Sequence, residues 1–216
     1  GLAIIGTMDI APPVSDKARQ ALGFLTEAET AALDSFGAVI PCPQATLVSP
    51  GVALGPGVVL WPGAILQIAA GGSIAIGDGA ILFPGARIVA TGGEVAIGAN
   101  AEIGDEGGFT VKAEAEGIVI GRDARLLGGG SLTLRNRIGD GAQIIGPIRC
   151  QNCTLGPGGS YRHPIADERG AVLKGAGVAR EITLSQGLVI QAFGLFADAT
   201  VRQQSFFHPH ERSPPP

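Results

Sequence analysis

Histidine is scarce in this chain and absent where it would be most informative. The three histidines are His163, His208 and His210, so nothing between Leu54 and Cys150 carries an imidazole. Aromatic residues make up only 5 % of the sequence, with one Trp and one Tyr, so small aliphatic side chains must fill any core. Cys42, Cys150 and Cys153 are too few and too unevenly placed for a disulfide framework, which points to a reducing, cytoplasmic setting. No Lys/Arg cluster interrupts a formal net charge of −4, which argues against a phosphate-backbone grip on nucleic acid. No apolar run approaches the ~18 residues of a membrane span, so no membrane partner is expected. The opening "GLAIIG" is too short for a signal peptide and lacks its basic flank.

Glycine is abundant instead. Thirty-five glycines and fifteen prolines would suggest disorder in a polar chain. Here 45 % of residues are hydrophobic and 16 % charged, the balance of a compact, turn-rich single domain.

The glycines are periodic. "IGDGAILFPGARI" (76–88) returns as "IGDGAQIIGPIRC" (138–150). Leu54, Ile76, Ile97, Ile120, Ile138 and Leu155 each precede a Gly. Six positions on stand Leu60, Leu82, Ile103, Leu126, Ile144 and then Tyr161. Six further stand Leu66, Ile88, Phe109, Leu132, Cys150 and then Asp167. A small residue follows each first marker by four: Val58, Ala80, Ala101, Ala124, Ala142 and Gly159. This beat fits neither the helix period nor simple strand alternation. It fits short strands meeting at corners, the large residue inside and the small one where the chain turns. Three such strands make a coil, and stacking coils buries the face that one coil leaves open.

"IGDGA", "IGANAEIG" and "LGPGVVLWPGAIL" resemble the hexapeptide repeat of left-handed parallel β-helix proteins, whose best-known members are acyltransferases. The resemblance covers about residues 47–160 and is specific for architecture, not chemistry. The fold class expected is an all-β solenoid of about six coils, with a right-handed β-helix as the alternative. Marker spacings of 22, 21, 23, 18 and 17 exceed three strict hexads early in the chain. The surplus lies in "QIAAGGSIA", "VATGGEVA" and "TVKAEAEGIV", read as an extended third side with aligned turns.

Residues 1–46 read as an N-terminal cap: a short strand at "LAIIG", a helix capped by Ser15, and a second helix opened by a Thr26–Glu29 capping box and stopped at Gly37. Residues 161–205 read as a strand-rich extension without hexads, and 206–216, ending in "HERSPPP", as a mobile tail. The apolar "GLVIQAFGLF" either closes the solenoid or meets another subunit. The resemblance implies a homotrimer.

Acyl transfer from a thioester to an amine or hydroxyl needs a base, usually His. The coils supply none, so the candidate catalytic residues are His163, Tyr161 and Asp167, in and beyond "GGSYRHP", with Asp167 orienting the imidazole. Arg162, Arg149, Asp105 and Glu106 are candidates for binding substrate, and Arg135 and Arg137 for a CoA phosphate. His208 and His210 read as tail residues. No metal site is expected, since the three-histidine zinc site of carbonic-anhydrase-like relatives finds no counterpart on the coils. "CQNC" reads as core, because Cys150 and Cys153 both fall on inward beats. Two functions stand: a transferase moving an acyl group from acyl-CoA, a co-substrate rather than a tightly bound cofactor, to a small-molecule acceptor; or a non-catalytic scaffold or assembly subunit.

Overall fold

The computed structural model describes residues 14–209; the strand expected at "LAIIG", His210 and the rest of "HERSPPP" lie outside the described residues. The chain is mostly β, with 42 % strand against 15 % helix, and its parallel strands curl into a half-barrel. They form a solenoid-like stack with three faces. The first face pairs Ala53–Leu54, Ser73–Ile76, Glu94–Ile97, Gly117–Ile120, Arg137–Ile138, Thr154–Leu155 and Thr183–Leu184. The second pairs Val59–Leu60, Ile81–Leu82, Glu102–Asp105, Arg125–Leu127 and Gln143–Ile145 with the start of Val172–Arg180. The third runs from Leu47–Val48 through Ile65–Ala69, Ala86–Thr91, Phe109–Ala113, Ser131–Thr133 and Ile148–Gln151 to the end of that same long strand.

The hexad beat becomes columns of interior side chains. On the second face Leu60, Leu82, Ile103, Leu126, Ile144 and Leu173 are successive partners, and all are fully buried. Burying each such side chain stabilises the fold by about 1.5–3 kcal/mol. The small residues Val58, Ala80, Ala101, Ala124 and Ala142 are also fully buried, where the corner leaves no room for more. Strands of five or six residues on the third face, followed by Gly71–Gly72 and Gly92–Gly93 turns, account for the long early spacings.

One column differs from expectation. Val111, not Phe109, pairs with Ile88 and Leu132, and Phe109 pairs with Ala86. The corner "GDEGG" holds two extra residues: Ile103 to Val111 is eight positions where Leu126 to Leu132 is six. Gly104 takes the bulge, with φ +95°, and Gly108 follows with φ +80°. Phe109 stays interior at 2 % exposure, filling space above a small partner.

The ladder also continues beyond residue 160. Tyr161 and Asp167 fall in a loop, and the beat resumes with Leu173 on Ile144, Ala179 on Cys150 and Leu184 on Leu155. The strand Leu188–Leu195 then pairs along Val172–Val178, and Val201–Gln203 returns antiparallel to it. Gly175 and Gly177, with φ +119° and +136°, let Val172–Arg180 pass from the second face to the third unbroken.

At the other end, helix Val14–Ala21 contains Ser15 rather than being capped by it. Thr26 and Glu29 form the capping box that opens helix Glu27–Ala31, and a 3₁₀ turn ends at Gly37 with φ +85°. Buried Arg19 ties these pieces together through Leu25 O, Thr30 Oγ1, Pro43 O and Gln44 O. Val39 bridges to Val59, and Leu47–Val48 pairs with Ile65–Leu66, so the helices lead directly into the first tier. Among the described residues no helix is long and apolar enough to cross a membrane.

Candidate functional site

The loop between the first and second faces is pinched at its base. Gly159 N donates to Glu168 O at 2.8 Å, and Gly170 N donates to Gly159 O at 2.9 Å. Leu155 to Leu173 spans eighteen positions where other tiers use six, so about twelve residues leave the coil here and carry Tyr161, Arg162, His163 and Asp167.

His163 sits tightly against this base. A Cβ on Gly159 would stand 2.7 Å from its ring, so glycine is what admits the imidazole. Nδ1 lies 3.2 Å from Ile165 O and Nε2 lies 3.5 Å from the Glu168 carboxylate. The carboxylate beside His163 is therefore Glu168, not the expected Asp167. Asp167 Oδ1 accepts from Ser205 N at 2.8 Å, and this ties the loop to the C-terminal segment. Two adjacent carboxylates in a 3₁₀ turn point different ways, which spacing alone does not reveal.

Tyr161 reaches over the outer side of the second face. Two guanidiniums lie over its ring, Arg125 at 4.6 Å and Arg162 at 4.9 Å from the centroid. Arg125 is also 3.4 Å from Glu102 through Nε, which is buried without a hydrogen bond. Beside this stack opens a cavity of 270 Å³. Its floor is the outward column Arg125, Gln143, Val172 and Val189, with Ile145 and Lys174 from the adjacent column. Its walls are Tyr161 and Arg169 from the loop and Gln204, Phe207 and His208 from the C-terminal segment. Lys174 Nζ stands 3.4 Å from the Phe207 ring centroid, and burial holds its pKa below the ordinary lysine value. Arg169 Nε donates to His163 O at 2.8 Å, linking the cavity wall to the imidazole's backbone. On the other side of Tyr161 a polar hollow of 440 Å³ is lined by Asn100, Glu102, Asp123, Ser160 and Arg162 among others.

His163 lines neither hollow, and neither do Arg149, Asp105 and Glu106. Arg149 points outward from the third face between Ser131 and Val178. Asp105 Oδ1 accepts from Glu106 N at the glycine-rich corner. Arg135 and Arg137 are exposed, and Glu114 pairs with Lys112 at 3.0 Å rather than with an arginine. Both "CQNC" thiols are in the core; the hydrogen bond with Cys153, together with burial, pushes the Cys150 thiol up. Among the described residues no group of three His, Cys, Asp or Glu side chains is placed to hold a metal ion.

Lys174, Arg125, Gln143 and Phe207 were not singled out by sequence reasoning. A signal for Lys174 existed: Leu173, Ala179 and Leu184 repeat the six-then-five spacing of Ile144, Cys150 and Leu155. With the loop excised, Lys174 falls on the outer side of the second face.

These ladders and this cavity define a parallel solenoid-like β protein with a cationic hollow on one face. No protein-family model matches the chain, and no curated protein sequence matches it.

Proposed function

We propose that the chain is a left-handed parallel β-helix of hexapeptide type, about six coils tall, and a transferase moving an acyl group from a CoA thioester to a small acceptor. Its working site is the second-face cavity beside Tyr161. The observation that supports this is the convergence of Arg125, Arg169 and Lys174 on one hollow where, among the described residues, the lining includes no carboxylate. In the reaction the acceptor's hydroxyl or amine attacks the thioester carbonyl, an imidazole takes its proton, and CoA leaves as the thiol. Of the described histidines, His208 lines the cavity, while His163 reaches it only if its loop moves. A homotrimer in a cytoplasmic setting belongs to this reading, and neither nucleic acid nor membrane does.

A second reading, a non-catalytic scaffold or assembly subunit, is favoured by the engagement of His163 with Ile165 and Glu168 outside either hollow. Thermal melting with acetyl-CoA separates the two. Ligand at a hundred times its dissociation constant adds about 2.7 kcal/mol, a rise of roughly 5–10 °C for a chain of this size. A flat melting curve with millimolar CoA thioesters, together with no thiol release in the presence of amine or hydroxyl acceptors, would leave the scaffold.

A further inference from the structure

Among the described residues, the side chains lining the second-face cavity include cations and no carboxylate. Among the described residues no carboxylate lies within 4 Å of Lys174 Nζ, which stands over the face of Phe207. Arg125 has one carboxylate, Glu102, and that pair is not closed by a good hydrogen bond. A cation drawn partly out of water without a counter-charge is costly, and a bound anion would offset that cost. Apolar lining comes from Ile145, Val172, Val189 and the Phe207 ring, beside Gln143, Tyr161, Arg169, Gln204 and His208. At 270 Å³ the hollow falls just below the ~300–1,000 Å³ range of drug-sized ligand pockets, so the ligand it suits is compact.

We infer that this cavity binds a small organic anion with an apolar body, its head between Lys174 and Arg125 and its body against Ile145, Val189 and Phe207. This rests on the reading that the cavity is the working site, and it names the acceptor class as an amphipathic anion that carries the attacking hydroxyl or amine, rather than a simple amine or a neutral alcohol. Carboxylates and phosphate monoesters share the required chemistry. Selectivity comes from the mismatch they relieve: an ammonium head would add a further positive charge to a lining that already holds Arg125, Arg169 and Lys174, and a neutral amide would leave Lys174 without a counter-charge.

The test is isothermal titration of the full chain with hexanoate, phenyl phosphate, hexanamide and hexylamine at low and moderate salt. Binding of at least one anion is expected, weakened by salt, with neither the amide nor the amine matching it. Lys174→Met should lose about tenfold in affinity for that anion, the size of one charge-assisted hydrogen bond. Lys174→Arg should recover most of it. Arg87→Met, exposed on the third face, should bind like the parent chain. Melting curves and circular dichroism of each variant establish that it is folded. Equal binding of hexanamide and hexanoate, no binding of either anion, or a folded Lys174→Met with parental affinity would overturn the inference. Anion binding without thioester turnover would remove the transferase and leave this site standing. Turnover without preference for an anion would do the reverse.

Discussion

Asp167 and Ser205, thirty-eight residues apart, are joined by a hydrogen bond from the Ser205 backbone N–H to Oδ1 at 2.8 Å. Gln204 reinforces this link by donating through Nε2 to Gly170 O at 2.7 Å. The loop and the C-terminal segment, which wall the cavity from two sides, are thus fastened to each other as well as to the sheet.

Asp167→Ala should loosen that fastening. Loss of a hydrogen bond to a charged acceptor costs about 1.5–3 kcal/mol in a buried setting, and less here because both partners are only half-buried. Asp167→Asn keeps an acceptor oxygen and should lose less. Differential scanning calorimetry with limited proteolysis reads both, with faster cleavage near residues 160–170 expected in Asp167→Ala.

Lys174 should leave a signature in the pH dependence of stability. Its folded pKa lies below the unfolded value of 10.5, so the unfolded chain binds more protons across that window. Stability from this group therefore rises as pH climbs from the folded value towards 10.5. Melting temperatures of the parent chain and Lys174→Met should diverge over that alkaline interval, the parent gaining relative to the variant; parallel curves would contradict the desolvated lysine.

Truncation in the second-face column should be severe. Leu126 is fully buried between Ile103 and Ile144. Leu126→Ala should cost about 2–5 kcal/mol. By contrast Val119→Ala, on the exposed side of the first face, should change the denaturation midpoint little.

The three thiols should react unequally. Cys42 is half-buried, whereas Cys150 and Cys153 are both at 0 % exposure. A thiol reagent under native conditions should modify one thiol readily and the other two only at the rate of unfolding. Mass spectrometry of the labelled peptides assigns them.

The column of large residues was legible because a hexad leaves the same mark on every tier. Leu82, Ile103 and Leu126 stack as their spacing implies. Phe109 was misplaced by one pairing step because two added residues at a glycine corner keep the local six-residue count from Ile103 while shifting the register. The loop hid the tier that follows it: Tyr161 and Asp167 occupy the positions where interior residues were due, and nothing local marks Leu173 as their replacement. The site was legible only as a neighbourhood. Tyr161 could be placed in it, but Arg125 and Lys174, which line the same cavity, lie thirty-six residues before it and thirteen after it, and outward positions carry no periodic constraint.

The narrow neck at Gly159 and Gly170 uncouples what lies outside the ladder from what lies within. Between those two glycines the polypeptide contributes no strand to the ladder, so its exposed tip from Arg162 to Ile165 can vary while Asp167 and Arg169 hold its return and every coil keeps its register. A change in this segment can reshape one wall of the cavity through Tyr161 and Arg169, while Arg125 and Lys174 stay fixed on the coils beneath.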